Sequence, residues 1–368
     1  MKNIIKGIII FLLLPGAVFS IEWIPDRTKT EAETELGWLV APMPVNVEGI
    51  GFTVPIAGVF SNLYKTTDLL LVAPFIKGDI ESKLLSIYKL PLYQDSLFFT
   101  FNYYELLTGF RNYDRGIDSE ENDYYQTLEK TDSTTFRLQT QLWDQRFEFQ
   151  LGYSYGKADI QKIYDADGNY FSNIQSPERN WIDNIIGTQI DLTDNHFDPH
   201  QGFRLGLLHS STNYGPELLS DYAVNDLNAS FYFPFFKNDT LLFNYFQSQS
   251  VVTSSGTIDQ TILGQKLGLG CDLENKQKLC ETAENRRLQY WLERNKQGKA
   301  SALGGLNRLR AYSYNRFFAK NSVNYTLEYR LNFSEKTTPI NWIFLGGVKT
   351  VLQTAFFYES GGVSDDIS

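Results

Sequence analysis

From Tyr325 the chain alternates: Tyr325, Leu327, Tyr329, Leu331 and Phe333 fall on one side, and Thr326, Glu328, Arg330 and Asn332 on the other. Phe147, Phe149, Leu151, Tyr153 and Tyr155 alternate in the same way with Glu148, Gln150, Gly152, Ser154 and Gly156. Phe136, Leu138 and Leu142 do so with Arg137, Gln139 and Gln141. A period of two marks a strand with one apolar and one polar face. Thirteen strands are predicted, at 38–47, 52–60, 67–77, 80–92, 96–106, 134–143, 147–157, 181–192, 202–211, 224–235, 239–252, 323–333 and 350–361. Most connections alternate in length. Gln94-Asp95-Ser96, Asp144-Gln145-Arg146 and Lys237-Asn238-Asp239 are tight, whereas 107–133, 158–180, 212–223 and 253–322 are long and polar. Tight turns at one end and long loops at the other suit an all-β fold, a transmembrane antiparallel β-barrel. A soluble β-sandwich would alternate too, with its apolar face inward.

The N-terminus separates these two alternatives. Lys2 and Lys6 precede an apolar stretch from Ile8 to Leu14, and Val18-Phe19-Ser20 follows as a small-residue exit. This is the order of a cleavable signal peptide, over 1–20, and the apolar stretch is too short to span a bilayer. The expected organisation is then a short periplasmic segment, 21–37, and an outer-membrane barrel over 38–368 that includes the long outer loop 253–322. With the N-terminus in the periplasm of a Gram-negative-type bacterium, every long connection falls outside the cell.

Composition sharpens this. The 27 Phe, 22 Tyr and 6 Trp suit strands that face lipid and carry aromatic girdles. The net charge is −10, and −12 once Lys2 and Lys6 are removed, which disfavours nucleic acid and anionic lipid as partners; the barrel itself makes outer-membrane lipid the expected surrounding. Single-chain bacterial barrels close with an even strand number, so about thirteen strands ending in the polar Asp365-Asp366-Ile367-Ser368 imply that the closing strands are missing.

Two segments carry more than a generic barrel. One is the turn Asp191-Leu192-Thr193-Asp194-Asn195-His196-Phe197-Asp198-Pro199-His200-Gln201-Gly202; the other is Leu303-Gly304-Gly305-Leu306-Asn307-Arg308-Leu309-Arg310-Ala311-Tyr312, followed by the strand with Glu328 and Arg330. A D-x-x-D…P-x-x-G turn, a G-G…L-R-G-Y loop and an E-x-R strand, in this order, resemble the BamA/TamA-type superfamily of outer-membrane assembly and translocation barrels, the bacterial surface antigens. The resemblance implies a sixteen-stranded barrel whose sixth outer loop folds into the lumen. It also implies that the loop arginine, Arg310, meets an acidic residue, here Glu359 in Phe357-Tyr358-Glu359-Ser360-Gly361. Arg310, Tyr312, Phe357 and Glu359 are thus the expected loop-to-barrel lock. The implied function is to assist insertion or passage of unfolded outer-membrane or secreted proteins; the alternative is a passive pore or structural surface antigen. Ala311 and Thr193 depart from the family pattern, and 21–37 is too short for the family's periplasmic POTRA domains.

Other features add little chemistry. His196, His200 and His209 cluster around one turn that is expected to face solvent, with no accompanying triad, so no catalytic, metal or cofactor site is expected. Cys271 and Cys280 lie nine residues apart, either bonded across a small loop or free. Residues 281–299 are predicted to form an amphipathic helix whose Leu288, Trp291 and Leu292 pack on the barrel mouth. The acidic stretch 114–132 is expected to be a solvated loop. Pro42 and Pro44 weaken pairing in the first strand, or else mark a linker.

Overall fold

The computed structural model describes residues 24–27, 36–42, 45–47, 51–54, 56–63, 69–73, 82–93, 96–113, 120–121, 123–164, 170–171, 178–196, 198–215, 218–236, 239–268 and 277–366. The signal-peptide expectation, Pro44, Cys271 and the side chain of Cys280 lie outside the described residues.

The alternating segments build one antiparallel wall. Its strands are β1 (Gly37–Pro42), β4 (Ile56–Ser61), β5 (Leu69–Ala73), β6 (Ser82–Tyr93), β7 (Leu97–Tyr113), β8 (Tyr124–Leu142) and β9 (Phe147–Tyr164). They continue as β11 (Arg179–Thr193), β12 (Gly202–Asn213), β13 (Asp221–Phe235), β14 (Asp239–Ser254), β15 (Asn321–Trp342) and β16 (Leu345–Ser364). Each pairs with the next. Two small pieces stand apart: a hairpin of β2 (Val45–Val47) and β3 (Gly51–Thr53), and the two-residue β10 (Tyr170–Phe171) against β9.

Side-chain exposure separates the faces. Phe136, Leu138, Phe149, Leu151, Tyr325 and Leu327 are 39–47% exposed, while the intervening Gln139, Gln141, Ser154, Asn324 and Thr326 are buried. So large a band of bare apolar side chains is not sustained in water. Hydrocarbon is its solvent, and the polar face lines the lumen. No described helix is long and apolar enough to cross a membrane; the strands do the crossing.

The strands outrun the sequence expectation. β7 continues to Tyr113 and β8 begins at Tyr124, so 124–132 of the presumed acidic loop is strand. β9 continues to Tyr164, and β15 and β16 nearly meet across Ile343-Phe344. These extensions mix charged side chains with buried apolar ones such as Tyr125, Leu128, Ile160 and Ile163, so no clean period of two marks them. Asp132, within them, pairs across strands with Lys157 at 3.0 Å. At the N-terminal end the expected 38–47 strand breaks at Pro42, and β1 pairs directly with β4 from Gly37↔Ser61 to Pro42↔Ile56.

Among the described residues β1 and β16 pair antiparallel over Trp38↔Gly346 and Leu39↔Leu345 alone. That contact is a local one at the turn end of β16. A Cβ at Gly346 would lie 2.4 Å from the Trp38 indole nitrogen, so a bare backbone lets the two approach there. Further along β16, Leu352, Phe356 and Tyr358 are 61–72% exposed. The cylinder is not zipped along its length.

Candidate functional site

The long loop after β14 folds back over and into the lumen. Its short helix Gln260–Leu267 starts at Asp259, whose carboxylate accepts from the Thr261 and Ile262 amides. The helix Gln277–Gln297 follows, close to the predicted 281–299. Trp291 and Leu292 bury themselves with Leu219, Leu263 and Leu267, and Leu288 packs alongside, so the outer loops have a small core of their own. Asn295 fastens this cap: it accepts from the Ser220 amide and donates to the Leu218 and Thr257 carbonyls.

Beyond the helix the chain turns inward. A bridge between Leu303 and Phe317 closes a tight loop in which Gly304, Gly305 and Leu309 take positive φ. Ala311 has no such conformation, so its side chain is accommodated without backbone strain. Arg308 lies over the buried ring of Phe246 on β14, 3.4 Å from its centroid. Arg316 reaches the opposite wall, 4.5 Å from the Tyr113 ring centroid, and donates to the Glu120 carbonyl. The loop therefore spans the lumen.

Arg310 is its anchor. The Nε donates to Glu359 at 3.0 Å, the backbone amide donates to the same carboxylate at 2.6 Å, and an Nη donates to Glu328 at 2.7 Å. The guanidinium lies 3.6 Å from the Phe357 ring centroid. Glu328 also accepts from Arg330 at 2.8 Å, and Arg330 lies 3.8 Å from Asp198 of the turn between β11 and β12. Charges thus alternate down the lumen from Glu359 through Arg310, Glu328 and Arg330 to Asp198. Sequence analysis grouped Glu328 with Arg330 but missed its bond to Arg310; the alternation that places 326, 328 and 330 on one face was the available signal. Tyr312 is half-exposed and packs edge-on against Phe317 instead of joining the charges.

The turn is a second polar centre. Asp191 is 1% exposed and lies within 2.9 Å of His196 and of Arg204, and 3.2 Å from Arg27. Thr193 donates to it through both amide and hydroxyl. Asp194 accepts from the His200 and Gln201 amides, and Pro199 is buried. Gly202 has φ +111, and a Cβ there would sit 2.2 Å from the Leu192 carbonyl oxygen, so only glycine fits. His196 is held inward by Asp191 and His200 lies 3.2 Å from Asn332 of β15, which corrects the expectation of a solvent-facing turn. His209 meets Asn225 away from the turn; among the described residues no three metal-ligating groups converge.

The cap helix carries a strongly perturbed side chain. Burial raises the phenol of Tyr290, but Arg294, Lys299 and Arg179 overcome this and bring it down to about 8, against about 10 for an ordinary tyrosine. The folded cap thus favours the phenolate. This stabilisation is complete above the unfolded value and is lost as pH falls through the folded one. The cap should therefore resist proteolysis better above than below that value. Phenolate absorbance should show one tyrosine ionising early, and Tyr290→Phe should abolish both effects.

No protein-family model matches the chain, and no curated protein does. Among solved structures it is similar to the crystal structure of BamA from Haemophilus ducreyi lacking POTRA domains 1–3, at 12% identity and a TM-score of 0.46. The match covers 90% of this chain and 57% of that one. The fold assignment rests on the strand pairing itself.

Proposed function

We propose that this chain is an outer-membrane barrel of the assembly or translocation kind, which assists insertion or passage of unfolded outer-membrane or secreted proteins. The observation that carries this reading is the loop tip held inside the lumen, with Arg310 bridging Glu328 on β15 and Glu359 on β16. A passive pore has no use for a cap and an inserted loop that span its channel. The outer-membrane location is supported by the signal-peptide pattern and the lipid-suited outer face. Depleting the chain in its host should lower the amounts of other outer-membrane proteins several-fold, with restoration by the wild-type chain and not by Arg310→Ala. Unchanged amounts would sink the assembly reading in favour of a structural surface antigen; steady conductance of the purified chain in a planar bilayer would favour the pore.

A further inference from the structure

Between the cap helix and the inner faces of β7, β8 and β11 lies a cavity of about 660 Å³. Among the described residues its lining holds six cationic side chains, Arg111, Arg179, Arg286, Arg287, Arg294 and Lys299, and one carboxylate, that of Glu129. In a chain of net charge −10 this concentration is not a sampling accident. Arg179 meets Glu129 at 2.9 Å, and Arg286 lies 3.6 Å from Asp123. Arg294 is ringed by aromatic groups, with Tyr214, Tyr222 and Trp291 each within 5.0 Å of its guanidinium carbon. Three buried donors around the cavity, the Arg179 Nε, the Arg294 Nε and the indole nitrogen of Trp291, meet no acceptor among the described residues. Buried donors normally find one.

We propose that this cavity binds a phosphorylated saccharide. Guanidinium forks match phosphate oxygens in geometry and charge. The volume lies within the range of small-molecule sites, roughly 300–1,000 Å³, and far exceeds one phosphate. The remaining wall combines ring faces with hydroxyls, as at Tyr104, Tyr113, Tyr125 and Tyr314, which suits a ring compound bearing many hydroxyl groups. The cap roofs the site, and its volume is far too small for a folded protein. Three of these cations, Arg294, Lys299 and Arg179, also bring the Tyr290 phenol down. The proposal does not depend on the assembly function.

The test uses the full chain in detergent, titrated calorimetrically with glucose 1-phosphate, glucose, inorganic phosphate and adenosine monophosphate. A second arm uses mixed micelles containing a phosphorylated glucosamine disaccharide glycolipid, which separates a lipid headgroup from a free sugar phosphate. Saturable binding of either sugar phosphate, with glucose inert, is expected. The double variant Arg111→Gln/Lys299→Gln should weaken it about tenfold, the effect of losing charge-assisted hydrogen bonds. Lys296→Gln, the same charge change as Lys299→Gln but on the exposed side of the helix, should leave it unaltered. If the double variant does not fold, Lys299→Gln alone should still weaken binding measurably. No saturable binding in either arm, undiminished binding by the folded variant tested, or tighter binding of adenosine monophosphate would each overturn the proposal.

Discussion

Replacing Arg310 by alanine is expected to lower the temperature at which the folded barrel survives on a semi-native gel more than any other change in the loop. The side chains of Glu328 and Glu359 are only 7% and 5% exposed, and Arg310 bonds both. Removing it leaves Glu359 with the residue-310 amide and the Thr326 hydroxyl but no cation, and Glu328 with Arg330 alone. Breaking a buried pair from one side costs about 3–5 kcal/mol; with Arg310 itself 26% exposed, the low end, about 3 kcal/mol, applies here. Arg310→Lys keeps the charge and loses the planar fork, so it should recover only part of the loss. The double variant Glu328→Gln/Glu359→Gln removes the abandoned charges and should be less damaging than Arg310→Ala. A melting temperature for Arg310→Ala equal to wild type would show that the loop is not held by this contact.

The second large effect is expected at Asp191, which gathers Arg27, Arg204 and His196 around one buried carboxylate. Asp191→Ala leaves at least two guanidiniums without their anion, and the cost should again fall near 3–5 kcal/mol. Asp191→Asn keeps acceptors for the Thr193 amide and hydroxyl, so it should fall between alanine and wild type. Protease cleavage within 194–201 should rise sharply in the alanine variant. If cleavage and heat resistance both match wild type, Asp191 does not organise the turn.

Much of the wall was legible in the sequence because lipid on one face and water on the other impose a period of two over 134–143, 147–157 and 323–333. Where charged side chains mix with buried apolar ones, as in 124–132 and 158–164, that contrast is lost and the strands are invisible to it. The pair Arg310–Glu359 was legible only through a motif resemblance, because the two residues lie far apart in the chain. The link from Arg330 to Asp198 depends on how far the turn reaches across the lumen, which is tertiary geometry with no local signature. The cationic cavity is assembled from β7, β11, the cap helix and the segment after it, and no stretch of the chain is unusually basic enough to announce it.

The anchor on Arg310 also sets an order of events. Its partners lie 18 and 49 residues further along, one on each arm of the β15–β16 hairpin. Glu328 and Glu359 converge only after Thr326 has paired with Glu359 and Glu328 with Phe357. Until then the loop has nothing to hold it, and closing so long a segment early costs chain entropy with no return. The hairpin must therefore form before the loop docks, which makes docking a late step on the way in and an early one on the way out. An interaction absent from the transition state governs how long the folded chain survives more than how fast it is made, so the buried arginine acts chiefly as a brake on unfolding.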